Sequence, residues 1–303
     1  MISARGIPVS GASIRAVPVP LQRLPRADRA EALGATAQAF AAVKHQVAKA
    51  RSKAVAMTDS NTTALGLSPS VRGNLLLEAM PQYAGLLPLE RTKLEVGEVL
   101  YAPGKPIRHA YFVETGVIFI LGSAGAGWRL KVGMVGFEGM AGLELLLGGE
   151  VAAHEAVVQS EGSALRLTAA ALREATARSK SLNDFLLRFA QTFMVQTTHA
   201  AIAAGRGSLE ERLARTLLMW QDRAREESWR VTHGFLAMLM GVYRPSATLA
   251  IQLLEGKRLI RASRNRIRIL DRAGLERMAK GFYGVPEEAY RRLFPSDNAS
   301  AKI

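Results

Sequence analysis

The chain has 303 residues, 49% of them hydrophobic, enough to bury the cores of two ordinary domains and too apolar for a disordered protein. Forty Lys and Arg against 26 Asp and Glu leave a formal charge of +14, which points to a polyanionic partner; nucleic acid is favoured over a membrane surface because no basic amphipathic helix is evident. The absence of cysteine excludes disulfides, thiolate zinc sites, cysteine-ligated iron–sulfur clusters and cysteine nucleophiles, and fits a reducing cytoplasm.

In chain order, residues 1–66 combine Pro, Ala and basic residues with a single large ring, Phe40, and are expected to form a basic, disordered extension. Met57, ahead of the polar run 58–63, reads as an alternative translation start. The amino terminus lacks an apolar segment of signal-peptide length. Apolar runs such as 117–121 and 145–147 fall far below the ~18 residues of a membrane span, so a soluble, cytoplasmic protein with no membrane partner is expected.

Between 91 and 167 short β-type runs (99–102, 110–113, 117–121, 129–132, 156–159 and 164–167) alternate with glycine turns, the pattern of an antiparallel barrel or roll, with a short internal helix over 142–147. Helices are predicted over 168–177 and 182–204. In the second, Leu182, Phe185, Leu186, Phe189, Phe193, Gln196 and Ala200 recur at three- and four-residue steps, giving a face that suits either a second copy of the helix or the chain's own roll. Gly205 and Gly207 end it, and Ser208 with Glu211 has capping-box spacing, opening a new domain.

The segment 231–260 reads as two helices around a sharp turn. Thr232 caps the first and is also a candidate DNA contact, Gly241 breaks it, and Pro245 sits in the first turn of the second. Ala247, Ala250, Ile251 and Leu254 form its inner face. Tyr243, Arg244, Ser246 and Thr248 lie outward at the amino-terminal end, the part that approaches bases in helix-turn-helix docking. Beyond Gly256, the alternation of Arg266 and Arg268 with Ile267 and Ile269 is a two-residue period around a hairpin tip at 263–265. This is a basic wing, with Arg261, Arg264 and Arg266 as phosphate ligands.

These motifs carry a resemblance: from about 74 to 284 the chain resembles the Crp-Fnr family of bacterial transcription regulators. The residues are Gly97-Glu98-Val99-Leu100 with Pro103-Gly104, Tyr111-Phe112-Val113, Gly116-Val117, the turn Val135-Gly136-Phe137-Glu138-Gly139-Met140, and Leu209-Glu210-Glu211-Arg212-Leu213-Ala214-Arg215. The strongest is Leu239-Met240-Gly241-Val242-Tyr243-Arg244-Pro245-Ser246-Ala247-Thr248, followed by Gly256-Lys257-Arg258-Leu259-Ile260. The resemblance implies that the long helix forms a dimer interface, here through Leu182, Phe185, Phe189 and Phe193, and that Arg244 reads a base. The family's cyclic-nucleotide members hold phosphate with a Gly-Glu turn and a later Arg followed by Ser or Thr. Here Gly136 and Glu138 partly match the turn, and the later pair aligns with His154 and Glu155, where a carboxylate would repel phosphate. These four residues are the expected effector pocket, and cyclic AMP binding is expected to be weak.

The fold class expected is therefore α+β: an antiparallel, jelly-roll-like β-roll sensor domain over 67–180, a long dimerisation helix over 181–206, a winged helix-turn-helix domain over 207–284, and a tail over 285–303. The partners expected are double-stranded DNA, a second copy of the chain, RNA polymerase and a small-molecule effector of open identity, with no cofactor, no metal and no enzymatic activity. Two other readings are a cyclic-nucleotide-regulated binding module without promoter activity and a cupin-type enzyme. Against the second, His45, His109, His154, His199 and His233 are scattered, without metal-ligand spacing.

Overall fold

The β-type runs pair into one antiparallel sheet. In the computed structural model, which describes residues 73–124, 128–224 and 228–294, this sheet comprises β1 (Glu90–Leu94), β2 (Val99–Tyr101), β3 (His109–Ala124), β4 (Trp128–Val135), β5 (Met140–Ala141) and β6 (Glu155–Thr168). Their order is β1-β6-β3-β4, with β2 also on β6 and β5 also on β3. The extension expected over 1–66 lies outside the described residues.

The runs 110–113 and 117–121 belong to one strand, as do 156–159 and 164–167. Gly116 explains why the chain bends there without stopping. Its φ is 84°, a Cβ would run into the Ser160 carbonyl, and the β3–β6 register slips on either side of it. A glycine can therefore carry a bulge at this point and keep the ladder intact. The internal helix expected over 142–147 is a 3-10 turn, Leu143–Leu147, closed at both ends by the left-handed glycines Gly142 and Gly148.

Asn74 caps the short α1 (Leu75–Glu78), Thr168 caps α2 (Ala169–Arg178) and Ser179 caps the long α3 (Lys180–Arg206). The apolar stripe of α3 corrects an expectation. Leu182, Phe185 and Phe189 are 0%, 8% and 3% exposed, buried in the roll core of their own chain, and the half-buried Phe193 lies against Gly133. Leu182, Phe185 and Phe189 thus face their own roll rather than a second copy.

Part of the cover comes from a helix that the sequence reading missed. The expected tail begins with α8 (Val285–Leu293), which folds back onto α3. The Phe294 ring meets Phe185 edge-on at 5.2 Å, and the Tyr290 hydroxyl donates to the Glu138 carbonyl at 2.7 Å.

The remaining elements build a second core. They are α4 (Leu209–Arg223), which opens with the capping box of Ser208 and Glu211, β7 (Ser228–Arg230), α5 (His233–Met240), α6 (Arg244–Gly256), β8 (Ile260–Ser263), β9 (Arg266–Ile269) and α7 (Arg272–Met278). This core is shared with the roll: Val117, Phe119, Leu121 and Met134 are buried in it. The Phe119 ring meets Trp220 edge-on at 5.1 Å and stacks on Phe235 at 6.1 Å. Aromatic pairs of this kind contribute about 0.5–1.5 kcal/mol each beyond area burial, so they fasten the second core to the roll.

Candidate nucleic-acid interface and effector cavity

The helix pair forms because its local signals agree. The Thr232 hydroxyl accepts the Phe235 N–H at 3.1 Å, Gly241 turns left-handed at φ 62°, and the Val242 N–H returns to the Ala237 carbonyl at 2.9 Å. Arg244 and Pro245 then start α6, whose inner residues Ala247, Ala250, Ile251 and Leu254 are buried. Arg244 and Ser246 are exposed, and Tyr243 is 80% exposed. Thr248 differs from its expected role: it is half-buried, its hydroxyl donates to the Arg244 carbonyl, and His233 Nδ1 lies 3.0 Å away, so it braces α5 against α6. The outward face continues through Leu249 and Leu253, both exposed and both missed. The three-residue step from Ser246 to Leu249 was the available signal.

The wing is a three-stranded sheet, β7-β9-β8. Arg230 stands opposite Arg266, and Arg268 opposite Arg261, while Trp229 and Ile267 are buried on the other face. Four exposed arginines thus share one sheet face, with Arg264 and Asn265 at the left-handed tip. Like charges directly opposite are unfavourable in a sheet; a polyanion relieves that repulsion. Arg230 escaped the sequence reading because only its pairing with β9 brings it onto this face.

A cavity of about 410 Å³ lies between the roll, α3 and the second core. Of the four expected pocket residues only His154 lines it, with Nδ1 3.3 Å from the Glu144 carboxylate. Glu138 is 2% exposed and turned the other way. Its carboxylate accepts the Gly136 N–H at 3.0 Å and lies 2.9 Å from Arg223 Nε, because the turn after β4 packs directly against the α4 backbone. Glu155 pairs with Arg129 at 2.9 Å. The four residues therefore form no common pocket.

The cations at the cavity are Lys131, Arg212 and Arg215, none of which the sequence reading assigned to it. Lys131 is 7% exposed and donates to the Thr216 hydroxyl at 3.3 Å. Burial, with Arg215 and Arg223 nearby, holds its ammonium well below the usual lysine range. Burial likewise lowers Arg215 to about 10. No local motif marks Lys131; it alternates along a strand like any other residue.

Residues 91–179 match the model of the cyclic nucleotide-binding domain, and residues 211–278 match that of the Crp-like helix-turn-helix domain. The chain belongs to the Crp-Fnr family of transcription regulators. As a member, it is a DNA-binding regulator. Solved structures share the fold of this Crp-Fnr regulator. FixK2 from Bradyrhizobium japonicum is 17% identical, with a TM-score of 0.56 over 63% of this chain and 98% of that one. A Crp/Fnr-family regulator from Eubacterium rectale is 16% identical, with a TM-score of 0.53 over 74% and 97%. A CRP-family regulator from Thermus thermophilus is 23% identical, with a TM-score of 0.52 over 63% and 97%. No curated protein matches the chain.

In this Crp-Fnr regulator the cavity carries an acidic group on its roll side. On the roll side the His154 ring is engaged by Glu144, whose carboxylate would face a phosphate. Calorimetry on the full chain is expected to find cyclic AMP and cyclic GMP binding weaker than micromolar; a micromolar or tighter constant would overturn this reading.

Proposed function

We propose that this regulator acts as a homodimer on near-palindromic operators, with Arg244 of each subunit reading a base and the wing arginines gripping phosphates. The observation that carries the reading is the pairing of an exposed α6 amino terminus with a wing sheet bearing four arginines on one face. The first can meet base edges in a major groove and the second the backbone. RNA polymerase is the protein partner, an effector occupies the cavity, the compartment is the cytoplasm, and the regulator has no enzymatic activity.

A different face of α3 supports dimerisation. Leu187, Gln191, Met194, Thr198, Ala201 and Gly205 follow one another at alternating four- and three-residue steps, the spacing of a helix–helix seam. Leu187 is half-exposed and the others are exposed, with Met194 at 62% and Ile202 beside them at 44%. Light scattering is expected to give a dimer for the full chain and a monomer for Met194→Glu combined with Ile202→Glu. Fragments recovered from genomic DNA should carry inverted repeats with half-sites about 34 Å apart. A wild-type monomer bound to single half-sites would contradict the proposal.

A further inference from the structure

We propose that the cavity takes an apolar monocarboxylate whose headgroup is held by Lys131 and Arg215, so that the roll and the helix-turn-helix domain grip one ligand together. This deepens, and rests on, the reading of the cavity as the effector site. Its basis is a charge imbalance. Lys131, Arg212 and Arg215 all line the cavity, and among the described residues none is ion-paired to a carboxylate. Lys131 donates to a hydroxyl, Arg215 to the carbonyls of Phe282 and Gln196, and Arg212 to that of Met240.

The neighbouring carboxylates are already engaged: Glu138 and Glu287 by Arg223, Glu211 by Lys280 and Asp222 by Arg272. A buried ammonium with no counterion is costly, and an apolar side chain would close this seam better, since Lys131 faces Phe119 and adjoins the apolar second core. An arriving anion supplies the missing charge.

The rest of the cavity sets the body of the ligand. Ile120, Val132, Val135, Phe193 and Leu239 line it, and such walls suit a hydrocarbon or an aromatic ring but leave the polar edges of a nucleotide unpaired. Glu144, in the same cavity, repels a second acid group. Because Lys131 belongs to β4 and Arg215 to α4, the headgroup spans the joint between the two cores. Occupancy can therefore shift the placement of the DNA-reading helices by the difference in affinity between two arrangements.

The test is calorimetry on the full-length protein without DNA, using decanoate and the uncharged 1-decanol, in wild type and Lys131→Met. Wild type is expected to prefer decanoate by at least about tenfold, the contribution of a charge-assisted hydrogen bond. Lys131→Met, which keeps Arg215, should lose most of that preference and, freed of the buried charge, should melt at a higher temperature than wild type when empty. Any of four results would overturn the proposal: no decanoate binding in wild type, equal affinity for acid and alcohol in wild type, a preference undiminished in Lys131→Met, or micromolar cyclic AMP binding that depends on Lys131. Because the wild-type comparison needs no variant, a misfolded Lys131→Met leaves the proposal open to refutation. Operator affinity, measured on the same preparations, reports on DNA reading alone, so a protein that binds its operator and ignores decanoate refutes only the ligand.

Discussion

Arg244→Ala is expected to flatten base preference at one position of each half-site and to weaken operator binding by about 1–3 kcal/mol per half-site. The guanidinium starts α6, is exposed, and has no carboxylate partner among the described residues, so it is free to donate two parallel hydrogen bonds to guanine O6 and N7. Arg264 stands at the wing tip, where a guanidinium meets backbone phosphate and carries no sequence information. Arg264→Ala should therefore weaken all sequences alike and reduce the salt slope by about 1. Binding to single-base operator variants at two salt concentrations separates the two effects. An Arg244→Ala protein that keeps full base preference would show that this residue grips the backbone.

Arg223→Met is expected to destabilise the fold by about 3–5 kcal/mol, read as a shift of the urea midpoint, because it strands two buried carboxylates. Arg223 is 4% exposed, and Glu138 and Glu287 are each 2% exposed. Arg223 lies 2.9 Å from Glu138 and 3.5 Å from Glu287, joining the turn after β4, α4 and α8. Burial pushes the Glu138 carboxyl above its ordinary range, and Arg223 pulls it part of the way back. With the cation removed the carboxyl rises further, so the folded state binds protons that the unfolded chain does not. Stability of the variant should then increase as the pH falls toward about 5, and its deficit against wild type should narrow. A deficit below about 1 kcal/mol, or one that is unchanged between about pH 7 and pH 5, would show that the cluster is not charged as described. Replacing all three residues by Met and Leu should recover most of the loss, since the penalty comes from the unpaired charge.

The parts of this protein that were legible in the sequence are those specified within a few residues. Thr232, Gly241 and Pro245 delimit the helix pair because capping, a left-handed turn and a preset φ act locally. The alternation along Arg266 to Ile269 marks a wing for the same reason. Less legible was the partner of an apolar face. The stripe from Leu182 to Phe193 suits a second subunit as well as the chain's own roll, since apolar burial has no direction. Packing of α8 and the roll gave it to the monomer, leaving the sparser stripe through Met194 outside.

By itself, then, the sequence determined a basic, cysteine-free chain with an antiparallel roll, a long helix and a winged helix-turn-helix, because strand alternation, caps and glycine turns are written in neighbouring residues. The tertiary structure alone decided which charges meet. Glu138 looked like part of an effector turn and is instead locked to Arg223, while Lys131, unremarkable on its strand, reaches Thr216 at 3.3 Å across 85 residues of chain to face the cavity. Coulomb interactions and desolvation depend on distance and burial in space, and neither can be read from spacing along the chain.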